Sequence, residues 1–487
     1  MRNVFQVDVL VRDALEVLRL IRAWKNMLAP INKIPPEILT LVPDFLETKD
    51  RDGRIIALTH VCRTWREAFV SRSSLWTDFN RLDGEKARVY LERSGSSPIN
   101  LSLDLNKGIS LCDPLFQIIP HATGRLESLL IKGMPEKIPA VTPYLSRPAP
   151  LLRYLSICPD RGCAPERCPA LALTLFNGDL SSLRELRLER VRTELPWRNM
   201  VNLTSFTLSH IPPSGAAFAG QLLDFLESAP YLEQVELCFA TPVAGAQDGR
   251  LVPLACLQYM DISGDAPCST LLNHLLIPAG AKLEITADLF SSPARAHLPR
   301  SLDNLKNFSD FTTIQLRPGK YCPRMEFSGP NGQVNMSLRT SRYDSTSLTL
   351  ESLAEFDTSK IEWLKINQGH LVSGELLYQT LLLMKNLRTL MLFSCSNLYT
   401  FIHALQPGTR SSEVVVCPKL EEIILVLQFE RMFDITSVIE MAAARASGGR
   451  KLGAIRIIDG REGAEGADLD VSELRKHVWN VEYGPEV

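Results

Sequence analysis

Ten times along this chain the residues fall into the pattern L-x-x-L-x-L, with apolar side chains at the first, fourth and sixth places. The instances are Leu126/Leu129/Ile131, Leu152/Leu155/Ile157, Leu183/Leu186/Leu188, Leu203/Phe206/Leu208, Leu232/Val235/Leu237 and Leu257/Met260/Ile262. They resume at Ile361/Leu364/Ile366, Leu387/Leu390/Leu392, Leu420/Ile423/Leu425 and Leu452/Ile455/Ile457. Within each run, consecutive starts lie 20 to 33 residues apart. Alternation at the fourth and sixth places is the period-2 mark of a strand with one buried face. Helical stretches fall between, as at 219–228, 376–384 and 435–445. A strand, turn and helix of that size cannot hide its own apolar face, whereas stacked neighbours share one continuous core. Few architectures satisfy that requirement.

The period is close to that of leucine-rich repeats, which the chain resembles in an irregular form. The asparagine usual near the ninth position is replaced by Val191, Ile211, Ala240 and Asp265, so an asparagine ladder is not expected. The stretch 267–358 fits the template worst. Its strand-like runs at 281–286, 313–316, 334–338 and 347–351 suggest repeats that have lost their helices, or else a separate β insertion. The expected fold class is α/β, a curved solenoid with its strands on the concave face. Residues 470–483 should close the open end as a short helix with a strand-like exit.

With the first, fourth and sixth positions inward, the third, fifth and seventh face out. Early strands carry mostly polar groups there, whereas late ones carry Trp363, Met391, Phe393, Ile424 and Val426. These five are either a target-binding surface or the seat of a covering helix or tail.

A different pattern precedes the repeats. Between Ile34 and Trp76 the chain reads Ile34-Pro35, Ile38-Leu39, Val42, Phe45-Leu46, then Leu58, Val61-Cys62, Trp65 and Leu75-Trp76. Pro36 suits a first helical position, and the apolar residues after it recur at helical spacing. Pro43 interrupts that helix, which either kinks there or ends near Val42. The charged insert 47–54 reads as a solvated loop, followed by helices over 55–61 and 63–70. So small a module cannot bury all its apolar surface, and an exposed patch implies a partner. This stretch resembles the F-box. The helix, Ser-Gly-Ser-Ser turn and strand over 86–106 resemble the segment that comes next in F-box proteins of mushroom-type fungi. The resemblance implies a substrate-recognition subunit of an SCF-type ubiquitin ligase. Ile34, Pro35, Ile38, Leu39, Val42, Leu46, Val61 and Trp65 would meet the Skp-type adaptor, and through it a cullin-RING ligase, while the repeats bind an unknown target protein. A scaffold that binds without ubiquitin transfer is the other reading. The implied division is 1–30 as an amphipathic helix packed on the F-box or the body, 31–80 as the F-box, 81–98 as a linker helix and turn, and 99–487 as repeats with a cap.

Composition narrows the rest. Formal charge is −2, so nucleic acid is not the expected partner, since phosphate binding wants a basic footprint. No apolar run reaches membrane-spanning length, and no signal peptide is apparent; a cytoplasmic or nuclear protein is expected. The eleven cysteines are scattered, and Cys158, Cys163 and Cys168 lack the fourth ligand that structural zinc wants. No H-E-x-x-H, G-x-S-x-G or P-loop occurs. Neither an enzyme nor a cofactor is expected.

Overall fold

The computed structural model describes the chain apart from residues 1, 46–50, 81–83, 107–113, 161–169, 172–174, 179, 194–199, 212–216, 240–248, 265–266, 289–292, 300, 309, 318–321, 340–344, 368–372, 396–397, 408–414, 429–432, 434, 461–468 and 486–487. Two compact units form, 1–163 with 169–183, and 164–168 with 184–487. The sequence places its main boundary at residue 99, where a strand begins; packing joins that strand and its next neighbours to the N-terminal helices instead.

The first unit begins with α1 (Arg2–Leu28), α2 (Pro36–Leu39), α3 (Arg51–Leu58), α4 (Arg63–Ser71) and α5 (Gly84–Arg93). Pro35 caps α2 and Pro36 opens it. The helix stops at Leu39, and Pro43 sits in a separate 3-10 turn, Val42–Phe45. Residues 51–54, read from sequence as loop, are the first turn of α3. Parallel strands follow at Asp78–Asn80, Ile99–Asp104, Leu126–Gly133 and Tyr154–Pro159, paired in chain order. Arg125 braces the predicted turn after α5, donating to Ser94 Oγ (3.2 Å), to the Ser97 carbonyl (3.1 Å) and to the Gly95 carbonyl. Gly95 has φ +56°, in the left-handed region where glycine is strain-free.

One expectation fails in this unit. Every residue of α1 from Val7 to Leu28 is exposed, so over that span the helix does not pack along the rest of its own unit as expected. Its tie lies at its C-terminal end, where Asn32 Nδ2 donates to the Asn26 carbonyl (2.7 Å) and Pro30 starts a 3-10 turn.

In the second unit the strands Glu185–Glu189, Ser205–Ser209, Gln234–Cys238, Tyr259–Ser263 and Lys282–Asp288 run parallel in chain order. So do Trp363–Asn367, Thr389–Phe393, Glu422–Leu427, Ala454–Asp459 and Asn480–Pro485. Register follows the L-x-x-L-x-L alignment. Phe206 pairs with Leu186 and Val235, and Leu390 with Leu364 and Ile423. Helices Ala217–Ser228, Gly374–Leu383 and Ile435–Ser447 lie between strands, close to the expected places. Leu474–His477 and the edge strand Asn480–Pro485 supply the helix and exit foreseen at the end.

The stretch 267–358 matches neither expectation fully. Lys282–Asp288 pairs with Gly332–Arg339, which is followed across the sheet by Arg324–Gly329 and then Thr313–Arg317; the last of these pairs with Trp363–Asn367. An antiparallel meander is thus spliced into the parallel order, in reverse sequence, within the same sheet. Ser345–Leu353 is a helix, not the strand read at 347–351. Leu348 and Leu350 alternate, but Leu353 adds the i+3 contact of a helix, and so short an apolar run carries either period.

A turn recurs at the eighth repeat position. Arg190, His210, Phe239 and Ser394 have φ of 49°, 54°, 52° and 52°. Their N–H groups donate to the Ser209, Cys238, Ser263 and Val426 carbonyls at 2.6 to 2.8 Å. Each turn thereby hydrogen-bonds to the next strand's seventh residue. At the ninth position the buried Val191, Ile211 and Cys395 occupy the asparagine's place.

Candidate interaction surfaces

The F-box-like module divides its apolar residues between its own core and the solvent. Leu39 is 0% exposed and Trp65 8%, so these two predicted adaptor contacts are core residues. Trp65 Nε1 donates to Asn32 Oδ1 (2.8 Å), and its ring lies 5.6 Å from that of Phe69. Trp76 Nε1 donates to the Phe69 carbonyl (2.9 Å), and Arg72 donates to the Thr40 carbonyl, which ties the end of α2 to the end of α4. Pro35 is exposed, and Ile34 and Val42 are half-buried. Ile38 and Val61 are each 53% exposed. Leu46 lies outside the described residues.

Two further exposed residues carry no contact in the sequence-based assignment. Phe45 is 87% exposed, and Leu41 is exposed beside Ile38. Phe45 belongs to the apolar series that the spacing marks. The 3-10 turn around Pro43 changes the helical phase, and that phase is the basis for choosing which members face out.

On the second unit, the third and fifth positions face away from the buried fourth and sixth, and the seventh joins them in exposure on Glu185–Glu189, Gln234–Cys238, Trp363–Asn367 and Thr389–Phe393. Trp363, Met391, Phe393 and Ile424 are half-buried on that face. Met391 sits in register between Lys365 and Ile424, and Lys365 Nζ lies 5.3 Å from the centre of the Phe393 ring. Val426, at 2% exposure, does not belong with them. It holds a seventh position, and Ser209 and Ser263 at seventh positions are buried too, where the strand passes into its turn.

The same face bears an acidic row that the repeat alignment shows in part. Glu236, Asp261 and Glu284 stand side by side in register on adjacent parallel strands. Burial, then the neighbouring Glu284 and Glu236 carboxylates, push the Asp261 carboxyl up to about 6. Burial also acts upward on Glu284, but Lys282 (2.7 Å), Asn335 and Tyr259 outweigh it and hold that carboxyl below its ordinary value. Burial and then the charges of Asp261 and Glu284 raise the Tyr259 hydroxyl.

Among the described residues, no group of three or more His, Cys, Asp or Glu side chains is placed to hold a metal, and no helix is long and apolar enough to cross a membrane. Cys158 lies on the strand Tyr154–Pro159, its Sγ 3.2 Å from Ser156 Oγ, while Cys163 and Cys168 fall outside the described residues.

Residues 31–81 match the F-box-like family, the stretch in which these helices pack. None of the curated proteins matches the chain.

Proposed function

We propose that this protein is the substrate-recognition subunit of an SCF-type ubiquitin ligase, with residues 31–81 docking on a Skp-type adaptor and the second unit holding a target protein. The observation that carries it is the exposure of Pro35, Ile38, Leu41, Phe45 and Val61 on a module whose core already holds Leu39, Trp65, Phe69 and Trp76. Apolar side chains that the fold does not need, gathered in one small matched module, mark a partner surface.

The ordered parallel strands and their recurring turns read as irregular leucine-rich repeats, and their outward face, with Trp363, Met391, Phe393 and Ile424, as the target surface. In this reading the chain supplies no catalytic group: it brings the target within reach of a ubiquitin-transferring subunit joined through the cullin. The test is co-purification of the full chain with the adaptor. Replacing Ile38 and Val61 together by Asp should abolish the complex, since each buried aliphatic contact contributes roughly 1.5–3 kcal/mol. The thermal midpoint should shift little, because both side chains already stand half in water. Adaptor affinity unchanged within about twofold would overturn the reading.

A further inference from the structure

Helix α1 is the largest unpartnered apolar element among the described residues, and its sequence says what it pairs with. Over Arg2–Leu28 it runs about 40 Å at 1.5 Å per residue. Val7, Leu10, Ala14, Val17, Ile21, Trp24 and Leu28 recur at alternating intervals of three and four, the seam of a two-helix coil. Every one of them except the small Ala14 is a large apolar side chain standing 55 to 66% exposed, with Trp24 at 63%. A helix with such a seam is stable in water when a second helix covers it.

Charge identifies the second helix. From Arg2 to Glu16 the helix carries Asp8, Asp13 and Glu16 against Arg2 and Arg12; from Val17 to Leu28 it carries Arg19, Arg22 and Lys25 and no acid. The two halves have opposite sign, so the helix is complementary to its own reverse. We propose that α1 pairs antiparallel with α1 of a second copy of this chain. Antiparallel pairing sets each acidic half beside the partner's basic half and aligns the helix dipoles favourably. The seam also fits by size, with Val7 facing Trp24, Leu10 facing Ile21 and Ala14 facing Val17. A parallel pair would set like charge on like charge and Trp24 on Trp24. A contact of this kind uses the same patch on both copies, so it closes at two subunits. Asp8, Asp13 and Glu16 make an anionic bilayer a poor alternative occupant.

The inference does not depend on adaptor binding, and its test uses the full chain alone. Light scattering after size exclusion should give twice the 54.4 kDa of one chain. Leu10→Asp with Ile21→Asp should give a monomer with an unchanged thermal midpoint. Neutralising the acidic half (Asp8→Asn, Asp13→Asn, Glu16→Asn) should weaken an antiparallel dimer by about threefold, because these exposed carboxylates act through the field of their half rather than in contact pairs. The same change relieves repulsion in a parallel dimer and tightens it, so tighter association would overturn the proposal. It would be overturned equally by a monomeric wild type above micromolar concentration, by a dimer indifferent to the two Asp substitutions, or by a monomer that binds anionic phosphatidylserine vesicles instead.

Discussion

The module of residues 31–81 and the strands after residue 184 treat apolar side chains differently. In the module, neighbours in sequence part company: Leu39 is buried while Ile38 stands half in water. On the strands, alternation sorts the third to sixth positions, and the outward apolar side chains Trp363, Met391, Phe393 and Ile424 are half-buried between the strands on either side. The difference comes from geometry. A four-residue helix such as α2 has too few neighbours to cover a stripe, whereas each strand between two others is covered on both sides. An exposed apolar residue is therefore strong evidence of a partner in the module and weaker evidence on the sheet, where shielding lowers its cost.

The sharpest way to break that comparison is to set inward and outward positions of the same strands against each other. Leu392→Ala empties a fully buried sixth position and should cost about 2–5 kcal/mol. Trp363→Ser with Phe393→Ser should cost much less, although far more side chain is removed, and should deplete the polypeptides that co-purify with the chain. Thermal unfolding and the co-purified set are the two readings. Equal destabilisation by both variants would make the outward face core and remove it as a target surface.

Acidity tests the other end of that face. Asp261 has a folded pKa of about 6 against 3.8 for an ordinary aspartate, so the stability gained by its protonation is fully present below about 3.8 and lost as pH rises through about 6. Asp261→Asn should raise the melting temperature at pH 7.5, where the Asp261 carboxylate is buried and charged beside Glu284 and Glu236, and the gap from wild type should close as pH falls below 6. Lys282 keeps Glu284 charged through the same range, so Glu284→Gln should bring no such gain. A constant gap across pH would show that the Asp261 carboxyl is not held above its ordinary value in the folded protein.

Period decides how much of the fold is legible in the sequence. Leucines at the fourth and sixth positions dictate strand register on both sides of the stretch 267–358, because a slip of one residue would turn every apolar side chain outward. Period cannot show the reversed meander, whose strand Arg324–Gly329 carries just Met325 and Phe327 as apolar inward residues. Nor can it show that Val426 is covered, since burial at a seventh position depends on the turn that comes after it. In the module, helical spacing marks the apolar series, but the stop at Leu39 and the turn at Pro43 decide which members face out. For α1, the sequence announces an apolar face and the fold leaves it bare.

The recurring left-handed turn is the least legible feature, because arginine, histidine, phenylalanine and serine occupy a position where glycine or asparagine would have signalled it. It also yields the smallest measurable effect. At Arg190 (φ 49°) an L side chain costs roughly 1–2 kcal/mol, whereas glycine is free of that cost but loses about 0.5–1 kcal/mol of unfolded-chain entropy on folding. Arg190→Gly should therefore stabilise the second unit by up to about 1 kcal/mol while keeping the N–H bond to the Ser209 carbonyl (2.8 Å). Arg190→Val should destabilise it, since a β-branched side chain tolerates positive φ worst. Urea unfolding of the three proteins gives the order, and a valine variant as stable as the glycine variant would mean that the turn relaxes out of the left-handed region at no cost.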